Sequence, residues 1–348
     1  MTSDATTAVL EAVGAHRPTS REPLTGGTYN TVTRVTFEDG RDWVVKVPPA
    51  HSGGLSHELR LLVNEVTFYD AAASAGGAAI PRVVHSELDP EAPCGAYVVM
   101  TACPGRPWSA LAGDLTADET HVLCTGFGHL VGRLHGVTGP GGFGYPAEPF
   151  GPLSPTWREA FTAMTDAVLA DAEAYGARLP RPVEQIREVL AGAVDVLDEV
   201  TRPALVHFDL WEGNLLVAGD PGARRIGGIV DGERMFWGDP VADLVSTHLF
   251  GDPEADPAFL AGYASATGGP LVFTPSVRRR LALYRCYLYL IMLTETVPRG
   301  AGAEALALTW QEVAPRLVMA LDGLAGAPHP GLGQDLRKDR RRAASSDG

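Results

Sequence analysis

Between residues 31 and 37 the chain alternates, with Thr31, Thr33, Val35 and Phe37 on one side and Val32, Arg34 and Thr36 on the other. A period of two predicts a half-buried strand. Asp39-Gly40 is a two-residue hairpin signal. The return strand runs Trp43-Val44-Val45-Lys46-Val47, with Lys46 on the face opposite Trp43, Val45 and Val47, and Pro48-Pro49 ends it. A helix is expected over 55–73, then strands at 81–85 and 96–101, before the Pro104-Gly105 turn.

From about residue 115 the period becomes helical. Thr116 and Glu119 have capping-box spacing, and Leu123, Phe127, Leu130 and Leu134 follow as a core-facing stripe. After a glycine-rich break at 139–145, Trp157, Phe161, Met164 and Val168 form a second stripe. Val183, Ile186, Leu190, Val194 and Leu197 form a third. A short hairpin is expected over 205–231, then helices over 240–250, 257–266, 275–297 and 302–324. No internal repeat is present. The order predicts an α+β chain of two lobes: a small β-rich N-terminal lobe with an antiparallel sheet (1–102) and a larger, mainly helical lobe (103–328). A disordered basic tail (329–348) is expected to follow.

Composition narrows the partners. At 348 residues, 45% hydrophobic and 20% charged, the chain suits a globular protein with more than one core. Its formal charge is −14, although the tail Leu336–Gly348 holds five basic and two acidic residues. An acidic body disfavours nucleic acid and would suit a cationic ligand. Cys94, Cys103, Cys124 and Cys286 form no CxxC pair, so neither a zinc site nor a disulfide framework is expected. The N-terminus lacks a basic start followed by an apolar run, and no apolar stretch reaches the ~18 residues of a membrane span. The expectation is a cytoplasmic protein without a membrane partner, monomeric or homodimeric.

The chemistry concentrates in Leu205–Asp231. Read as a hairpin, Asn214 opens its first strand and Asp231 closes its second, and antiparallel pairing brings the two ends together. Asp209 lies at the same mouth. Singly, each is a common turn former. In the pattern H-x-D-x-x-x-x-N, followed 17 residues later by Asp, they describe a hard-oxygen magnesium site with Asp209 as a base toward a hydroxyl.

The motifs HFDLWEGNLLV (207–217), IVDGERMFWGDPVADL (229–244) and YVVMTACPGRPW (97–108) resemble the aminoglycoside phosphotransferase and choline kinase family, which has a protein-kinase-like fold. Trp211 followed by Gly213-Asn214 is also similar to the loop of fructosamine kinases. The resemblance spans about residues 20–325 and implies an ATP- and Mg2+-dependent phosphotransferase with an alcohol acceptor. It makes Asp209 the catalytic base and Asn214 and Asp231 the magnesium ligands. Lys46 would contact the α- and β-phosphates, held by Glu65, with Glu58 as a competitor on the same expected helix. Gly26, Gly27, Thr28 and Asn30 would cover the phosphates, and the backbone from Met100 to Ala102 would face adenine. Asp239, Asp243 and His207 read as structural braces.

Two positions depart from the family's pattern: Gly232, where many relatives have an aromatic residue, and Phe208, where Gly is frequent. Seven residues separate Asp231 from Asp239, leaving little platform for a peptide, so a small acceptor is expected. An aminoglycoside, another antibiotic or an amino sugar leads. Glu233, Asp252, Glu254, Asp256 and Glu295 are candidate acids for its ammonium groups, although each also reads as a solvated surface acid. The alternatives are a metabolite kinase acting on a fructosamine or other sugar, and an inactive relative that only binds ligand.

Overall fold

Helix α1 (Thr2–Ala12) opens the chain and buries Val9 and Leu10 against Val35, Phe37, Val45, Tyr97 and Val99. The structure is a computed structural model that describes residues 2–24, 30–49, 54–111 and 113–326. The expected tail at 329–348 lies outside the described residues, as do Gly26, Gly27 and Thr28. Strands β1 (Ser20–Pro23), β2 (Thr31–Thr36) and β3 (Asp42–Val47) form a meander, with Gly40 at φ +85° in the β2–β3 turn. Helix α2 (Leu61–Gly76) follows, then β4 (Val83–Glu87) and β5 (Tyr97–Thr101). The five strands make one antiparallel sheet in the order β1-β2-β3-β5-β4.

The helix expected over 55–73 is divided. A 3-10 turn at Ser56–Glu58 is separated from α2 by Arg60, whose backbone (φ −134°, ψ 42°) is not helical. The turn is tied to the other lobe: the Ser56 N–H and hydroxyl both donate to the Asp171 carboxylate at 2.7 Å. The Tyr175 hydroxyl donates to the Gly54 carbonyl at 2.8 Å. Tertiary anchors override the helical pattern there.

The second lobe begins with β6 (Arg106–Pro107) and α3 (Ala117–His135). The capping box forms, with the Glu119 N–H donating to Thr116 Oγ1 and the Thr116 N–H to the Glu119 carboxylate. Such a cap stabilises by about 1 kcal/mol. Leu123, Phe127 and Leu134 are buried, whereas Leu130 packs at the core's edge. Helix α4 (Trp157–Ala174) buries all four residues of its stripe. The third stripe spans two elements, α5 (Val183–Ala191) and a 3-10 turn at Val194–Glu199, since the chain leaves the α-helix at Gly192.

β7 (Ala204–Val206), β8 (Leu215–Ala218), β9 (Arg225–Ile229) and β10 (Phe236–Gly238) come next. β8 and β9 pair antiparallel with Leu215 opposite Ile229, which sets the mouth of the hairpin at Asn214 and Val230. The helix expected over 240–250 is a 3-10 turn at Pro240–Asp243 leading into the short α6 (Leu244–Thr247). Helices α7 (Pro257–Thr267), α8 (Pro275–Glu295) and α9 (Ala303–Ala325) complete the lobe close to their expected bounds. Among the described residues no helix is long and apolar enough to cross a membrane. The arrangement is the bilobal α+β kinase-like fold.

Candidate active site

Asp231 follows β9 in a left-handed conformation (φ 66°, ψ 49°), which Asp tolerates better than most residues. The turn brings its carboxylate and that of Glu233 to β3, where Lys46 projects between them. Lys46 Nζ lies 2.5 Å from Asp231 Oδ1, 2.6 Å from Glu233 Oε2 and 2.8 Å from Glu65 Oε2. Tyr69, one helical turn after Glu65, ties α2 to the hairpin: its hydroxyl donates to Glu65 Oε1 at 3.1 Å and accepts the Asp231 N–H at 3.0 Å. The close packing explains Gly232. A Cβ there would lie 2.3 Å from the Phe68 ring, so α2 could not approach over a larger residue.

Three carboxylates converge on one ammonium. Burial, followed by the charge of Asp231, pushes Glu233 up to about 8 despite Lys46. Burial likewise raises Glu65. Burial also opposes ionisation of Asp231, but the Lys46 ammonium outweighs it and holds that carboxyl below its usual value. Oxygens of Glu65, Asp231 and Glu233 lie within 4.8 Å of one another. A hard-oxygen set with surplus negative charge fits a magnesium ion.

Asp209 is held from both sides. Asp243 accepts the His207 N–H at 3.1 Å and the Phe208 N–H at 2.6 Å, and His135 Nε2 lies 2.9 Å from the same carboxylate. His207 donates from Nε2 to the Val230 carbonyl (3.1 Å) and accepts the Asp209 N–H on Nδ1 (3.2 Å), which fixes its tautomer. Asn214 Nδ2 donates to the Asp209 carbonyl (2.9 Å) and carboxylate (3.0 Å). Burial pushes the Asp209 carboxyl up, and the Arg234 guanidinium pulls it back. Phe208 sits at φ +64°, a conformation costing about 1–2 kcal/mol. Its ring is fully buried against Phe236 and Tyr287, 5.1 and 5.5 Å between centroids, which returns roughly 1.5–3 kcal/mol. Phe is tolerated where Gly would be unstrained.

The other sequence candidates separate. Glu58 does not approach Lys46; it accepts the Leu55 N–H at 2.8 Å and pairs with Arg299. Asn30 Nδ2 donates to Glu233 at 2.9 Å. Met100 is a buried strand residue, and the Ala102 N–H is spent on the Asp42 carbonyl at 2.9 Å. The β3–β5 ladder thus extends one residue further than its pattern suggested.

The expectation for Glu233 is corrected. It belongs beside Lys46 rather than among acceptor-side helices, because it lies two residues past Asp231 in a tight turn. Asp252 caps its own 3-10 turn, Glu254 pairs with Arg278 at 2.7 Å, and Asp256 caps α7. Glu295, among those acids, acts electrostatically on Asp209. It is already paired, 2.6 Å from Arg234 and 3.2 Å from Arg299. Glu295, Asp209 and Glu58 keep buried Arg234 charged although burial opposes it. Sequence reasoning missed Tyr69, Arg234 and Arg299. The first carried a signal, its place four residues after Glu65.

Trp211 is 44% exposed two residues past Asp209. Its indole lies over Gly213, where a Cβ would come within 2.2 Å of the ring.

A family model described as the phosphotransferase enzyme family matches residues 20–284. A probable ketoamine kinase of Vibrio vulnificus is 31% identical over 105 residues, 30% of this chain and 32% of that protein. A probable ketoamine kinase of Synechocystis is 28% identical over 173 residues, 46% of this chain and 52% of its own length. The chain thus spans about a third to a half of the curated relatives it matches. In three dimensions a candidate fructosamine-3-kinase from Thermobifida fusca superposes with a TM-score of 0.66 at 22% identity, covering 94% of this chain and 100% of that one. Aminoglycoside phosphotransferase APH(4)-Ia, in complex with AMP-PNP and hygromycin B, superposes with a TM-score of 0.61 at 18% identity, covering 92% and 99%. At these identities the likeness is one of fold.

Proposed function

Because the chain belongs to the phosphotransferase enzyme family, we propose that it is a small-molecule kinase that transfers the γ-phosphoryl group of Mg-ATP to a hydroxyl of a sugar-derived amine of the ketoamine type. Lys46, fixed by Glu65, would hold the α- and β-phosphates. Asp231 and the amide oxygen of Asn214 would hold magnesium, with Glu233 beside them. When bound, the metal neutralises charge on the phosphates. Asp209 accepts the proton of the attacking hydroxyl, and its burial makes it a better base than a solvated carboxylate. Asn214 Nδ2 keeps that carboxylate oriented.

The observation that carries the acceptor class is charge balance. On the Asp209 side, Glu295 and Glu58 are already matched by Arg234 and Arg299. A polycation needs unpaired acids, and these two are already taken. A sugar with one amine needs hydroxyl partners and a flat apolar surface, and exposed Trp211 offers the latter. The ketoamine kinase relatives and the Trp211-x-Gly-Asn loop favour the same reading.

A coupled nucleotide-turnover screen against fructosyl-lysine, free sugars and aminoglycosides, with mass spectrometry of the product, tests it. The expected result is fructosyl-lysine phosphorylation at a kcat/KM about tenfold or more above any aminoglycoside, the scale of one well-placed polar contact. The reverse ranking would replace the acceptor class.

A further inference from the structure

Around the 232–234 turn and the Arg234–Glu295–Arg299 chain, five buried side-chain polar atoms have no hydrogen-bond partner among the described residues: both ring nitrogens of His57, both amide atoms of Asn64 and Nε of Arg299. His57 is 3% exposed and Asn64 1%. Leaving a buried donor or acceptor unpaired costs about 1–3 kcal/mol, so such atoms mark a place where something else binds. The His57 ring stacks on Tyr145, 5.7 Å between centroids and 16° between planes, which fixes the direction of both nitrogens. Arg234, Glu295 and Arg299 all act on that ring electrostatically, and Arg234 and Glu295 also act on Asp209. The unpaired atoms therefore share neighbours with the catalytic carboxylate. Asn64 lies one helical turn before Phe68, whose ring meets Gly232, so it faces the same 232–234 turn.

The chemistry of the missing partner follows from these groups. Burial, then Arg234, drives His57 down to about 3, so the ring is neutral and offers one N–H and one lone pair. An amide offers the same combination. Both suit hydroxyl groups, which donate and accept. The surrounding charges cancel in pairs, which excludes a strongly charged ligand.

We propose that His57 and Asn64 are specificity-determining residues that bind the non-reacting hydroxyls of a neutral polyol portion of the acceptor. The inference rests on the kinase reading above and adds where the sugar is recognised. Asp209 then works on a hydroxyl whose neighbours are counted by two uncharged side chains. A substrate lacking those hydroxyls leaves them unpaired.

The test uses the full chain, Mg-ATP and fructosyl-lysine, with His57→Phe and Asn64→Leu as separate variants. The phenyl ring keeps the stack on Tyr145 and removes both nitrogens. The expected result is a KM for fructosyl-lysine raised about tenfold or more, with the KM for ATP within about twofold and an unchanged or higher melting temperature. An unchanged fructosyl-lysine KM in both variants overturns the inference. So does a fall in melting temperature with kinetics intact, which would mean that the atoms hold only structural water. No fructosyl-lysine turnover by the wild-type protein overturns the acceptor class and this inference together. Wild-type turnover with insensitive variants overturns the inference alone.

Discussion

The two halves of the cleft solve opposite electrostatic problems. Around Lys46, three carboxylates meet one ammonium, and burial raises two of them toward neutrality. Around Arg234, two carboxylates meet two guanidiniums, and every charge has a partner. One half is short of a cation; the other is complete. The difference teaches where each ligand would draw its binding energy: magnesium and triphosphate from charge, the acceptor from hydrogen bonds and shape.

The largest expected effect lies where the halves meet. Asp209→Ala should lower kcat by about 10²–10⁴-fold while leaving nucleotide affinity nearly unchanged, measured by steady-state turnover and calorimetry. Near-normal turnover would remove Asp209 as the base. Next is Glu295→Ala in the balanced half. It strands Arg234, and removing one partner of a buried pair costs about 3–5 kcal/mol, read by denaturant unfolding. An effect below about 1 kcal/mol, the range of surface pairs, would show that the half is solvated.

A subtler effect has the opposite sign. Glu233 has its folded pKa raised from 4.5 to about 8, so its contribution to stability is full below pH 4.5 and is lost as pH rises through about 8. The ligand-free protein should therefore lose stability between about pH 4.5 and pH 8, and Glu233→Gln should flatten that slope, followed by scanning calorimetry. A slope that survives the substitution would place the raised group elsewhere.

The two halves also differed in how readable they were. Asp209, Asn214 and Asp231 lie at the mouth of one local ribbon, and the Leu215–Ile229 register forces its ends together, so their spacing alone made them candidates. Strand alternation put Lys46 on one face of β3, and only the family resemblance gave it a role. Glu65 prevailed over Glu58 because Arg299 and the Leu55 N–H already occupy Glu58. The Arg234 half depends on contacts spanning 61 residues (Arg234–Glu295) and 241 residues (Arg299–Glu58). No periodicity encodes such pairs. Helix α1 was missed because Val9 and Leu10 give too short an apolar stripe, and its burial against the sheet sustains it. The third stripe concealed a break at Gly192, since hydrophobic spacing persists across a change from α to 3-10 geometry.

Calorimetric titration of ATP into the full-length protein, with Mg2+ and again with EDTA, tests most directly whether the Lys46 half binds the triphosphate together with a divalent cation. Binding should be about tenfold or more tighter with Mg2+, because the carboxylates that converge on Lys46 otherwise disfavour the triphosphate. Equal affinity in EDTA would contradict the account.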